Sequence, residues 1–179
     1  MKNKKAAASV IEYLEMVRKV RGKKPQGFAY NGVEDLILKE GEVFIPAPLP
    51  EEISRGRMKM CFKNATEAAL RQDDISGVGS WLGDGLWEYT EGFALCEGLI
   101  PVQHAWLSRN GVAVDPTWTD GIEYVGIRFN KSLLASAIVA TRTYGLLDDW
   151  RNGFPLLRNK FDSAQLEEYY KNLLDKCNA

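Results

Sequence analysis

Three side chains carry the chemistry this sequence offers: Cys61, His104 and Asp115. His104 is the lone histidine, and in PVQHAWLSRNGVAVDPTW (101–118) it stands eleven residues before Asp115. Asn110-Gly111 between them is a strong hairpin signal, because a type I′ turn needs positive φ at both central residues. A two-residue loop sets Arg109 opposite Val112, and His104 then lies diagonal to Asp115 on one sheet face, about 7 Å away at Cα. A four-residue loop sets the two directly opposite; only an odd-length loop separates them, since one step of register flips every side chain. The spacing therefore favours an imidazole–carboxylate hydrogen bond, which equally suits a half-buried histidine with no chemical role.

Cys61 raises the chemical reading. It opens CFKNATEAALR (61–71), a predicted helix, where the first-turn amides and upstream Arg57 and Lys59 favour a thiolate. His104 would take the thiol proton and return it to a leaving group, while Asp115 would fix the tautomer and favour imidazolium. Cys96 is the rival nucleophile, but it sits at a strand end without a helix dipole and reads as a structural thiol. The three cysteines are odd in number and widely spaced, with no CxxC pair, which argues against a disulfide scaffold. With one histidine and no close ligand pair, neither a metal nor a cofactor is expected. The Cys61 N–H is one candidate oxyanion donor. Asn64 is another, with a helix-surface role as its alternative, and Gln103 is disfavoured because adjacent strand residues face opposite ways. Trp106 and Trp118 would line the site and shield the His–Asp pair from water, or form plain core.

The elements that position these groups follow from periodicity. Ser9 and Glu12 form a capping box ahead of Val10, Tyr13, Leu14 and Val17, with Gly22 past the helix end. Residues 23–58 read as irregular, and FIPAPLPEE (44–52) as extended and unable to donate regularly to a sheet. In the helix begun by Cys61, Ala65, Ala68 and Ala69 suit close packing. The glycines of DDISGVGSWLGDG (73–85) lack the strand-to-helix context of a phosphate cradle, so a mobile loop is expected there. From Trp87 the period becomes two, and WEYTEGFALC, IPVQHAWL, VAVD and EYVGIRF read as a four-strand antiparallel meander. NKSLLASAIVATRTY (130–144) and the segment after the Asp162–Gln165 box read as helices, with Cys177 continuing the apolar stripe of Leu166, Tyr169, Tyr170, Leu173 and Leu174. The expected class is α+β: one domain over residues 1–179, with a Cys-bearing helix on a four-strand antiparallel sheet. Residues 1–24 form a basic N-terminal helix, 58–129 the core motifs, and 130–179 C-terminal helices.

Composition bounds the rest. With 179 residues and 45% hydrophobic content, the chain can bury a substantial core. No apolar run is long enough to span a membrane, and the N-terminus lacks a secretion-signal core, so an intracellular, cytoplasmic protein is expected. Residues 1–24 hold eight Lys or Arg and two Glu; against a net charge of −1, this +6 leaves −7 elsewhere. The cluster RKVRGKK (18–24) could meet an acidic partner or nucleic acid, but a solvated helix end explains it more simply.

HAW at 104–106 and DPTW at 115–118 resemble the transglutaminase-like and papain-like cysteine superfamily, in which a helix-borne Cys faces a His strand and a neighbouring Asp or Asn. With CFKNA (61–65), YTEGFA (89–94) and YVGIRF (124–129), the resemblance covers roughly 70 residues. It is nearest to short proteins often carried by bacteriophages and bacteria. The resemblance implies nucleophile Cys61, base His104 and orienting acid Asp115, acting through a thioester on an amide, an ester or a glutamine side chain in a peptide, protein or small amide. A peptidase, amidase, deamidase or transglutaminase-like acyltransferase is implied. One departure is the glutamine that papain-like enzymes carry just before the cysteine: the nearest here is Gln26. The alternative is a non-catalytic binding protein on the same fold, its basic helix touching a partner such as a host component.

Overall fold

Asn110 and Gly111 both adopt left-handed backbone, with φ of 51° and 78°. The two-residue turn they form pairs Arg109 with Val112 and joins β3 (Val102–Arg109) to β4 (Val112–Val114). In the computed structural model of the protein, which describes residues 9–71, 86–159 and 162–177, this hairpin is part of a closed barrel. β2 (Glu88–Cys96) pairs antiparallel with β3 on one side and with β5 (Gly121–Phe129) on the other. β1 (Glu42–Pro46) then fills the gap between β5 and β4, giving the order β1-β4-β3-β2-β5 closed on itself.

This corrects the expected architecture. The sheet is not an open four-strand antiparallel meander but a five-strand mixed barrel, α+β with its helices outside. β5 returns to β2 instead of extending from β4, and β1 runs parallel to β4 and antiparallel to β5. The prolines after Phe44 argued against a strand there, yet Pro46 is accommodated. Ile45 and Ala47 donate to the carbonyls of Gly111 and Ala113 at 2.9 and 2.8 Å. Strand N–H groups alternate in direction, so the missing donor of Pro46 faces the β5 side, where pairing has already ended at Phe44.

Six helices are described. α1 (Val10–Val20) has both hydrogen bonds of the Ser9–Glu12 capping box. α2 (Val33–Glu40) lies inside the segment expected to be irregular; its N-cap is Gly32 at φ 104°, with no capping side chain to announce it. α3 (Cys61–Arg71) lays Ala65 and Ala69 against β3 and β2, where small side chains let a helix approach a sheet closely. α4 (Lys131–Thr141), α5 (Pro155–Arg158) and α6 (Ser163–Cys177) follow, and α6 packs on α4. The glycine-rich segment 73–85 and the side chain of Cys177 lie outside the described residues. No described helix is long and apolar enough to cross a membrane.

The strand period of two divides the buried residues into two cores. Tyr89, Phe93, Leu95, Ala105, Leu107, Val125 and Ile127 point outward into the helix layer. Phe44, Ala94, Trp106, Ala113 and Tyr124 fill the barrel, joined by Trp118. Trp106 meets Tyr124 edge-on at 5.0 Å and Phe44 at 5.9 Å. The interior is full enough that a Cβ on Gly126 would lie 2.6 Å from Cη2 of Trp106. This glycine is therefore the floor on which the indole rests.

Candidate active site around His104

β4 stops opposite Leu107, so the stretch of β3 carrying His104 has no partner from β4. The chain beyond β4 fills that space with Asp115, whose carboxylate is fully engaged. Oδ1 accepts from the N–H groups of Thr117 and Trp118 at 2.7 and 2.9 Å, a turn that aspartate forms with its own following backbone. Oδ2 accepts from the Tyr124 hydroxyl at 2.9 Å and bonds His104 Nε2 at 2.7 Å. Both His104 and Asp115 are buried, at 1% and 6% exposure, so water does not compete for the contact. Trp118 stacks on the imidazole with ring centroids 3.7 Å apart and planes 17° from parallel. Trp106 lies further off, at 6.5 Å, fully buried in the barrel core. Burial alone would lower the basicity of His104, but the Asp115 hydrogen bond, the Cys61 thiol and the Asp115 charge outweigh it and hold the imidazole above its ordinary value.

Cys61 is the second side chain that acts on the imidazole, raising its basicity together with Asp115. With Nε2 committed to Asp115, Nδ1 is the nitrogen left for the thiol. The sulfur belongs to the first residue of α3 and is half-buried. Lys59, just before the helix, takes left-handed backbone at φ 66°, which turns the chain sharply into it. The segment leading to the helix is sewn to the Asp115 loop. Gly56 N–H donates to Pro116 O at 2.7 Å, and Arg55 donates to Trp118 O at 2.8 Å. Asn64 donates to Arg57 O and to Thr117 Oγ1, each at 2.8 Å. Both Asn64 N–H groups are thus spent on joining the two loops, leaving neither for an oxyanion. The first-turn amides of α3, including that of Cys61, have no acceptor within their helix.

Cys96 is unlike Cys61. It is buried beside Asp120, with Sγ 3.6 Å from Oδ1, and burial first, then the Asp120 charge, pushes its thiol up to about 11. A thiol so raised is a poor nucleophile near neutrality.

A second buried carboxylate, Glu91, was not singled out from the sequence. It faces the helix layer from β2, accepting from Tyr89 Oη at 2.9 Å, Leu146 N at 2.8 Å and Leu147 N at 3.1 Å. An acidic residue within an otherwise apolar strand, YTEGFA, was the available signal. The basic N-terminal cluster is partly used internally: Arg21 clasps Glu34 at 2.7 Å and Arg18 stands 3.9 Å from Asp35. Among the described residues no group of three or more His, Cys, Asp or Glu could hold a metal ion.

Comparison with family models, with curated proteins and with solved structures finds no match for this chain.

Proposed function

We propose that the protein is a thiol-dependent hydrolase or acyltransferase that acts on an amide, ester or glutamine side chain through a thioester at Cys61. The observation that carries this reading is the buried 2.7 Å bond from His104 Nε2 to Asp115, with the Cys61 thiol also raising the basicity of the same imidazole. Asp115 holds the ring so that Nε2 keeps its proton and Nδ1 accepts that of the thiol. The sulfur then attacks the substrate carbonyl carbon, the carbonyl electron pair moves to oxygen, and the first-turn amides of α3 supply hydrogen bonds to that oxyanion. Collapse expels the leaving amine or alcohol, which takes the proton from Nδ1, and leaves a thioester. Water or an acceptor amine, deprotonated by His104, attacks the thioester and regenerates the thiol. The HAW and DPTW resemblance supports the same chemistry.

Alkylation by iodoacetamide, followed by mass spectrometry, tests the reading without a known substrate. Cys61 is expected to react much faster than Cys96 near neutral pH. In His104→Ala its rate is expected to drop by about 100-fold, the low end of what a positioned base contributes. Equal rates at the two thiols, or no effect of His104→Ala, would remove the nucleophile from the account.

A further inference from the structure

We propose that Glu91 is a positioning residue for the Cys61–His104 pair, latching residues 144–147 to the barrel and so fixing how the first turn of α3 sits. The inference rests on the reading of Cys61 and His104 given above. Three features carry it. Glu91 is 1% exposed, and Leu146 N–H, Leu147 N–H and the Tyr89 hydroxyl all converge on its two oxygens. Tyr89 Oη also lies 3.1 Å from Tyr144 O, a second acceptor within reach of the same hydroxyl proton at the start of the segment. Gly145 lies between Glu91 and the residue next to the nucleophile: a methyl placed on it would be 3.7 Å from Glu91 Oε1 and 3.9 Å from the Phe62 ring. The latch therefore spans from β2, through residues 144–147, to the first turn of α3.

The groups around the latch give it a direction with pH. Its three donors are neutral, Asp148 adds a like charge, Tyr170 of α6 hydrogen-bonds Asp149 instead, and Tyr89 also senses Cys61. Ionising Glu91 therefore places in a dry site a charge that three neutral donors only partly offset. Burial raises its carboxyl to about 7, with Asp148 adding to the rise against the three donors. Opening the segment to water relieves that charge, so the latch is tightest when Glu91 holds a proton and weakens as it ionises.

Hydrogen exchange at the Leu146 and Leu147 amides, corrected for intrinsic rate, tests this from about pH 5.5 to about pH 8.5. In the wild type their protection is expected to fall by up to about tenfold per pH unit from about pH 5.5 to about pH 7, as release of one proton on opening requires, and to level off above that, where Glu91 is ionised in both states. In Glu91→Gln it is expected to be flat with pH. The ratio of Cys61 alkylation rates between wild type and Glu91→Gln is expected to change over the same range, with Cys96 as the control. Flat protection in the wild type overturns the latch, even if Glu91→Gln fails to fold. A pH-dependent latch with an unchanging alkylation ratio overturns the positioning role. Failure of the Cys61 reading is distinct: it shows as a His104→Ala variant alkylated like the wild type, whatever the Leu146 and Leu147 amides do.

Discussion

Two buried carboxylates on opposite faces of the barrel wall are held by almost the same set of donors. Asp115 accepts two backbone N–H groups and the hydroxyl of Tyr124; Glu91 accepts two backbone N–H groups and the hydroxyl of Tyr89. Each pins a loop to the barrel. The difference is one imidazole: Asp115 has His104 at 2.7 Å, whereas the donors to Glu91 are all neutral. With a group that can become a cation beside it, the buried carboxylate orients and charges a base. Without one, it becomes a group that resists ionising up to about pH 7. On the proposed readings, the same backbone device supports a reactive pair inside the barrel and a proton-sensitive latch outside it.

The largest expected effect separates the two carboxylates by removing the paired one. Asp115→Ala takes away four acceptor contacts and strands a buried imidazole, so a stability loss of about 4 kcal/mol is expected in denaturant unfolding. A loss near zero would mean that the Asp115 loop is held by something else.

The next effect sharpens the contrast through pH. A carboxyl raised from 4.5 to about 7 binds its proton more tightly folded than unfolded. Its contribution is full below the unfolded value and is lost as pH rises through about 7, which amounts to about 3 kcal/mol. His104, also raised, acts in the same direction from its ordinary value upward. The difference between wild type and Glu91→Gln isolates the Glu91 part: wild-type stability is expected to fall relative to the variant between about pH 5 and pH 8. Parallel curves would contradict the assignment.

Smaller still is the expected loss from Asn64→Ala, about 1.5 kcal/mol, because two amide hydrogen bonds from α3 to its neighbours disappear. Since those bonds belong to the Asp115 side, Cys61 alkylation is expected to slow while the pH dependence of Leu146 and Leu147 exchange stays intact. The smallest effects come from the two phenols. Tyr124→Phe and Tyr89→Phe are each expected to cost about 1 kcal/mol. Only Tyr89→Phe is expected to move the pH at which the latch weakens, upward, because a donor to the carboxylate is lost.

Local chemistry in this chain was legible where one residue type forces one conformation. Asn110-Gly111 fixed the hairpin and its register, which placed His104 within reach of Asp115. The Ser9–Glu12 box marked the start of α1. What failed were features decided by distant partners. β1 was hidden by Pro46, whose missing donor costs no ladder bond because it falls on the side that faces no strand, and which side that is depends on β4 and β5. The return of β5 to β2 has no local signature, because strand order is chosen by how the two faces bury their side chains. α2 was missed because Gly32 offers no capping side chain. Asn64 reads from the sequence as an oxyanion donor or a helix-surface residue, and its tie to Thr117 shows only once the 115–118 loop arrives against it. Glu91 stood in plain view, but its significance depends on amides fifty-five and fifty-six residues away.

Because His104 is the chain's lone histidine, its imidazole can be titrated by NMR without ambiguity. Following it in the wild type and in Cys61→Ser tests most directly whether the thiol, the imidazole and Asp115 act as one unit. The imidazolium of the wild type is expected to persist above the ordinary histidine range and to titrate lower in Cys61→Ser. Identical titrations in the two proteins would contradict the coupling on which the proposed function rests.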